Sequence, residues 1–263
     1  MPLKYKAAFF DIDGTLFDWG SRRFIPSAIE AIKKAQEQGC KVFVSTARCY
    51  ASAKEFGVFD LGIKWDGWNT FSGGAAAVGH TYVKKDLMSA SDMKKLIETV
   101  QSFHGNMEVL GVKTRSMIAK KDEVTKEYYS FFADPVSLIR KYKGGEVLGA
   151  LLYTKEEHDG LIRGALPNLT LRRFAPYAVE VSANPDRDKS HGIKAILDYL
   201  GLKKKDAIAF GDTGADLAMA KAVDLLVITG NGEEEAKSKA EYVSEHIAED
   251  GIKKALIEFG LEW

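Results

Sequence analysis

The feature that most limits what this chain can become is a short, wholly apolar run, Ala7-Ala8-Phe9-Phe10, that stops at Asp11-Ile12-Asp13-Gly14-Thr15. Four apolar residues with no polar alternation fit a strand covered on both faces. Ser27-Ala28-Ile29-Glu30 then reads as a capping box that opens a helix. Ile29, Ile32 and Ala35 give that helix an apolar stripe, and Gly39 supplies its stop. Val42-Phe43-Val44 is a second apolar run, ending at Ser45-Thr46. Strand, helix and strand joined by short links make a βαβ unit, which demands a parallel sheet. The C-terminal part repeats the grammar. Ile193, Ile196, Leu197 and Leu200 recur at helical spacing before Gly201, Ala207–Phe210 runs into Gly211-Asp212, and Leu217 and Ala220 suggest a further helix. Leu225–Ile228 is another buried strand, and a closing helix is expected from Gly251 to Phe259.

The middle of the chain follows a different pattern. Helical stretches are expected over Asp92–Phe103, Glu123–Phe132, Pro135–Tyr142 and Lys155–Leu166. Strands are expected around Met107–Val112, Ser116–Ala119, Val147–Tyr153, Leu169–Phe174 and Ala178–Ser182. Hairpins mixed with helices imply α+β with antiparallel pairing. The expected organisation is therefore an α/β sheet domain in two segments, 1–83 and 185–263, with an α+β unit, 84–184, inserted between them. With 263 residues and a 46% hydrophobic share, the chain can fill two such cores.

Charge and leader signals exclude several classes. The 37 Lys and Arg balance 37 Asp and Glu, so there is no overall cationic excess for nucleic acid. No stretch approaches the roughly 18 apolar residues of a membrane span, and Met1-Pro2-Leu3-Lys4 does not open a signal peptide. Cys40 and Cys49 belong to no metal-binding spacing and read as reduced thiols. A soluble cytoplasmic protein is expected, with neither nucleic acid nor membrane as its partner.

Within the sheet domain, chemistry-bearing residues gather where apolar strands end. Asp11 and Asp13 follow the first strand, Thr46 and Arg48 the second, Gly211-Asp212 and Asp216 a third, and Lys189 precedes a helix. In open α/β sheets, ligands bind outside the carboxyl ends of the strands. Asp11, Asp13 and Asp212 brought together would repel one another, and a hard cation relieves that repulsion. An all-oxygen donor set suits Mg²⁺ better than Zn²⁺. Lys189 and the Thr46 hydroxyl would bind an anion beside the metal, a clamp of the kind used on phosphoryl oxygens. Gly14 permits the turn that lets Asp11 and Asp13 reach one ligand, with Asp11 as nucleophile and Asp13 as acid/base.

The ordered set Asp11-Ile12-Asp13-Gly14-Thr15-Leu16, Thr46, Lys189 and Gly211-Asp212-x-x-x-Asp216 resembles the haloacid dehalogenase superfamily, and more narrowly its Cof-type phosphatases. The resemblance covers nearly the whole chain. It implies a Rossmann-like core with a large inserted cap and a Mg²⁺-dependent phosphatase acting on a small phosphorylated metabolite, such as a sugar phosphate. It implies an aspartyl-phosphate on Asp11, which also ligates the metal, and Asp13 as general acid/base with its backbone carbonyl on the metal. Thr46 and Lys189 would hold the phosphoryl group, and Asp212 would ligate the metal. Asp216 would ligate it or orient those that do, and Arg48 would lie near the substrate phosphate.

Four positions depart from the subfamily pattern. Ala47 stands where Gly is usual, Ser72 (followed by Gly73) where Asn is usual, and Thr213 and Ala215 where Gly and Asn are usual in the last motif. The usual Asn at 215 helps position the phosphoryl group, and the Thr213 hydroxyl is a candidate replacement. Other readings stand beside these. Asp11-x-Asp13-Gly14 could be a calcium-loop fragment, but no Glu stands at a twelfth loop position. Arg48 could pair with a nearby acid, and Asp216 could simply favour a helix start. Asn231 between Gly230 and Gly232 is a turn residue with a substrate-contact role open, and His191 is the one histidine close to the motif residues. Trp65, Trp68 and Phe71 are expected to pack in the core or on the sheet. A phosphomutase of the same fold, or a non-catalytic phosphometabolite-binding protein, is the alternative function.

Overall fold

A computed structural model of the chain describes residues 4–119, 122–132 and 142–263. In order, the strands are β1 (Ala7–Phe10), β2 (Phe17–Asp18), β3 (Arg23–Phe24), β4 (Lys41–Ser45), β5 (Gly67–Thr70), β6 (Ala75–Val78), β7 (Thr81–Lys85), β8 (Asn106–Gly111), β9 (Arg115–Met117), β10 (Val147–Tyr153), β11 (Thr170–Ala175), β12 (Ala178–Ser182), β13 (Ala207–Gly211), β14 (Leu225–Ile228) and β15 (Tyr242–Val243). The helices are α1 (Pro26–Glu37), α2 (Tyr50–Glu55), α3 (Ala90–Ser102), α4 (Glu123–Phe132), α5 (Asp159–Ala165), α6 (Lys189–Leu200), α7 (Glu234–Lys239) and α8 (Gly251–Glu258). The helical stretch expected over Pro135–Tyr142 falls at residues 135–141 outside the described residues.

The backbone divides into two compact units. The first comprises Met1–Arg48, Gly57–Lys84 and Arg187–Trp263. Among its described residues, eight strands make one sheet in the order β15-β14-β13-β1-β4-β5-β6-β7. The pairings β1–β4, β1–β13, β13–β14, β14–β15 and β4–β5 are parallel, and β5–β6 is antiparallel. The continuous apolar runs explain the parallel part. All four residues of β1 are buried, and a strand with no polar face is stable only when covered on both sides. Phe9 stacks on Phe43 and Phe10 on Phe210, with ring centroids 5.0 and 4.9 Å apart. Ile193, Ile196 and Leu197 of α6 bury against Phe9, Phe43, Leu226 and Ile228. Each such side chain contributes roughly 1.5–3 kcal/mol by leaving water.

Two local expectations are corrected here. Helix α1 does not begin on a Ser27 cap. Pro26 occupies its first turn, Ile25 precedes it, and no side chain caps it. Proline, already fixed at helical φ and lacking an N–H, makes the capping box unnecessary. The segment with Leu217 and Ala220 is a 3₁₀ turn, Asp216–Lys221, rather than an α-helix. Asp216 there spends its carboxylate on the backbone just before it, which tightens the turn.

The second unit comprises Cys49–Phe56 and Lys85–Asp186. Its sheet is antiparallel, in the order β11-β12-β10-β8-β9. Alternation sends Met107, Val109, Ala150, Leu152, Val179 and Val181 to one face, where they pack with Met93, Leu96 and Val100 of α3 and Ile162 of α5. The intervening residues Glu108 and Tyr153 meet Tyr129 of α4. The Tyr129 hydroxyl donates to Glu108 and lies 3.0 Å from the Tyr153 hydroxyl. Burial pushes the Tyr153 hydroxyl, and likewise that of Tyr129, to titrate well above the ordinary tyrosine range. Arg115 donates to Glu55 of α2 at 2.8 and 2.6 Å. That pair, with Lys113 over the Tyr50 ring at 5.8 Å, groups 49–56 with this unit. The expected undivided segment 1–83 is therefore amended at 49–56, where charge pairing, which apolar periodicity does not reveal, holds α2.

Candidate active site

The registers of the first unit set the site. Phe10 lies level with Val44 on one side and Phe210 on the other, and Ser45 is level with Asn69. Asp11, Ser45 and Gly211 therefore leave three neighbouring strands at one height. Strand β1 has β4, reached through α1, on one side and β13 on the other, so chain direction across the sheet reverses there. Such a switch point opens a crevice at the carboxyl ends.

Four of the expected side chains converge on that crevice. Lys189, the first residue of α6, is buried, and its Nζ lies 2.8 Å from Asp11 Oδ1 and 2.6 Å from Asp216 Oδ1. The helix start is fixed by Asp188, whose side chain accepts from the Ser190 N–H at 2.8 Å. Asp216 Oδ2 accepts from the backbone N–H of Asp212 and Thr213, both at 3.0 Å, and from the Thr213 hydroxyl at 3.1 Å. Asp212 Oδ1 accepts from the Thr15 hydroxyl at 3.1 Å. Asp11, Asp212 and Asp216 each offer a carboxylate oxygen within 4.8 Å of the others.

Electrostatics matches this crowding. Burial raises Asp11 from 3.8 to about 7; Lys189 opposes the rise, and the charges of Asp216 and Asp13 add to it. Burial and the charges of Asp11 and Asp216 raise Asp212 from 3.8 to about 8. Burial alone would lower Lys189, but its two carboxylate partners win and hold it above the ordinary lysine value. One cation therefore faces three acids, and the balance is short of positive charge. A hard divalent cation fits this all-oxygen donor set. Asp11 and Asp212 are the carboxylates suited to hold it. Asp216 already uses one oxygen on Lys189 and the other on three donors.

The remaining expected residues stand around this centre. Thr46 is buried at the end of β4, its backbone N–H donating to Asn69 O at 2.9 Å and its Oγ1 accepting from the Arg48 N–H at 3.1 Å. Asp13 is held from the side of β4. Arg48 grips it bidentately, Nε to Oδ2 and Nη2 to Oδ1, both at 2.8 Å. Arg48 thus pairs with an acid, as one of the two sequence readings had it. The Thr213 hydroxyl, expected as a replacement donor for the phosphoryl group, is instead committed to Asp216.

Glycines let the centre close. Gly14 sits at φ +77°, and a Cβ there would lie 2.0 Å from Asp212 Oδ2. A Cβ on Gly211 would lie 2.4 Å from the Asp216 side chain.

Three further residues contribute to the site. Thr15 was legible only as part of its motif. Asn231 donates from Nδ2 to Gly14 O at 2.7 Å, pinning the acidic turn, and its flanking glycines were the available signal. Asn69 joins Ser45 to Lys189 from a strand whose residues are all buried, and nothing in local sequence marked it.

Comparison with known proteins agrees with this geometry. The family model for haloacid dehalogenase-like hydrolases matches residues 8–256. YkrA of Bacillus subtilis (strain 168), whose name assigns phosphatase activity provisionally, is 28% identical over 97% of this chain and 98% of its own. A phosphoglycolate phosphatase of Methanobrevibacter smithii is 26% identical over 95% and 97%. The solved structure of the sugar phosphatase BT4131, a subclass IIB member of the superfamily, is 28% identical, superposes with a TM-score of 0.76, and is matched over 98% of this chain and 100% of that one. Among the described residues no helix is long and apolar enough to cross a membrane. The chain belongs to the haloacid dehalogenase-like hydrolases, and within them to the Cof-type phosphatases.

Proposed function

We propose that this phosphatase is Mg²⁺-dependent and cleaves a small organic phosphate, a sugar phosphate foremost, through an aspartyl-phosphate on Asp11. The observation that carries the proposal is the buried Asp11 carboxylate, held 2.8 Å from Lys189 at the end of the central strand and crowded by Asp212. The sugar-phosphatase neighbour and the phosphoglycolate phosphatases among the relatives support the substrate class.

The steps follow from the residues present. Lys189 and the Thr46 hydroxyl bind the phosphoryl oxygens and orient the phosphorus toward Asp11. An Asp11 carboxylate oxygen attacks phosphorus as the bond to the leaving oxygen breaks, and Asp13 gives that oxygen a proton. Asp13 then takes a proton from water as the water oxygen attacks phosphorus, which frees Asp11 and inorganic phosphate. Arg48 aims Asp13 for both proton transfers. Asp216 fixes Lys189 and the backbone of the Asp212 loop. Asp11 and Asp212, with the backbone carbonyl of Asp13, would hold Mg²⁺, which supplies positive charge to the phosphoryl oxygens and relieves the repulsion between the acids.

Turnover of p-nitrophenyl phosphate with Mg²⁺ tests the scheme. Asp11→Asn removes the nucleophile and is expected to abolish nearly all turnover. Near wild-type activity in that variant sinks the nucleophile assignment. Release of free phosphate in proportion to substrate loss excludes a mutase, which would return the phosphate to its substrate.

A further inference from the structure

Two residues that suit their own elements poorly meet beside the site. Asn69 lies in β5, where all four residues are buried, a place that favours β-branched or aromatic side chains. Gly192 lies inside α6, where glycine is among the worst helix formers. The reason for each is the other. A Cβ on Gly192 would lie 1.9 Å from Asn69 Oδ1, so the helix admits the amide only because position 192 has no side chain.

The amide ties the backbone of Lys189 to Ser45, the residue before Thr46. Asn69 Nδ2 donates to Lys189 O at 2.8 Å and to Ser45 Oγ at 3.0 Å. Its backbone O accepts the Thr46 N–H at 2.9 Å. The orientation is forced, because a backbone carbonyl can only accept and the NH₂ must face Lys189. Asn69 Oδ1 is then left buried without a hydrogen bond. A fold selected for stability alone would put an apolar side chain here and avoid that orphan.

We propose that Asn69 is a positioning residue that sets the spacing between Thr46 and Lys189, with Gly192 as its socket. The inference rests on the reading of Thr46 and Lys189 as the phosphoryl clamp. Without the amide, the start of α6 and the end of β4 lose their shared anchor. The clamp then fits the trigonal-bipyramidal phosphorus less well, while ground-state binding changes little.

The test uses the full chain with p-nitrophenyl phosphate and Mg²⁺, and orthovanadate as the transition-state probe. Wild-type turnover that Asp11→Asn abolishes first establishes the underlying reading; activity persisting in that variant defeats the reading itself, and this inference with it. Asn69→Ala is then expected to lower kcat by about 10- to 100-fold. Its KM should stay within about threefold, and vanadate inhibition should weaken in step with kcat. Gly192→Ala displaces the amide and should lower both kcat and Tm. In the Asn69→Ala/Gly192→Ala double variant the clash is gone, so Tm should recover while kcat stays low. A folded Asn69→Ala protein with wild-type kcat and vanadate affinity overturns the proposal, as does a double variant whose kcat recovers along with Tm. If Asn69→Ala does not fold, Ser45→Ala decides. That change removes one acceptor of the amide, so a several-fold loss in kcat supports the proposal and an unchanged kcat overturns it.

Discussion

The acidic trio makes a prediction about stability that can be read without any substrate. Asp11 and Asp212 titrate at about 7 and about 8 in the folded protein, against 3.8 ordinarily. Both folded values lie above the unfolded ones, so between about pH 4 and pH 8 the native chain binds more protons than the unfolded chain. Stability contributed by these groups is therefore present at low pH and lost as pH rises through 7 and 8. For Asp11 alone, moving from 3.8 to about 7 costs the ionised form about 4 kcal/mol. Total stabilities of domains are only about 5–15 kcal/mol. A divalent cation that binds the ionised acids reverses this loss. At 100 times its dissociation constant it adds about 2.7 kcal/mol, roughly 5–10 °C in Tm for a chain of this size. Protons compete for the same oxygens, so the gain should shrink steeply below pH 7. The assay is thermal unfolding of chelator-treated protein with and without MgCl₂ at pH 5.5, 6.5, 7.5 and 8.0. Metal-free Tm should fall as pH rises, and the Mg²⁺ increment should be largest at pH 8. Asp212→Asn should flatten both trends. A Mg²⁺ increment that is equal at all four pH values, or largest at pH 5.5, refutes the reasoning.

Two further outcomes are expected. Gly14→Ala places a Cβ 2.0 Å from Asp212 Oδ2 at a backbone φ of +77°, so it should cost more than about 1 kcal/mol in urea unfolding and lower activity sharply. Arg48→Lys keeps the charge but loses the two-pronged grip on Asp13. It should lower kcat by about tenfold and distort the acidic limb of the pH–rate profile, and a wild-type profile would show that Asp13 is aimed by something else.

Much of the sheet was legible because its strands are short, apolar and end in punctuation. Ala7–Phe10, Val42–Val44 and Ala207–Phe210 could hardly be anything but covered strands, and the acids beyond them fall at one edge as a consequence of parallel pairing. The start of α1 was misread at Ser27 because two local signals compete there, and Pro26 wins by shape. The 3₁₀ turn at Asp216–Lys221 was missed because its cause is one carboxylate folded back on the preceding backbone. The outer strands β5, β6 and β7 alternate weakly and left no period to read. Asn69 was invisible for a different reason. Its meaning lies in partners 24 and 120 positions away, and no local pattern encodes such a meeting. Arg48 was legible as a residue, but its two-pronged pairing with Asp13 was not, because that depends on the distance between two loops.

The central position of β1 also bears on how the protein comes apart. A sheet loses order from its rims, where a strand has a neighbour on one side only, and β15 and β7 occupy those rims. Asp11 hangs from a strand laced to partners on both sides and stacked through Phe9 and Phe10. Its surroundings can fray, exchange their amide protons and reform many times before its own anchor loosens. The residue proposed as nucleophile is thus tied to the part of the unit expected to melt last.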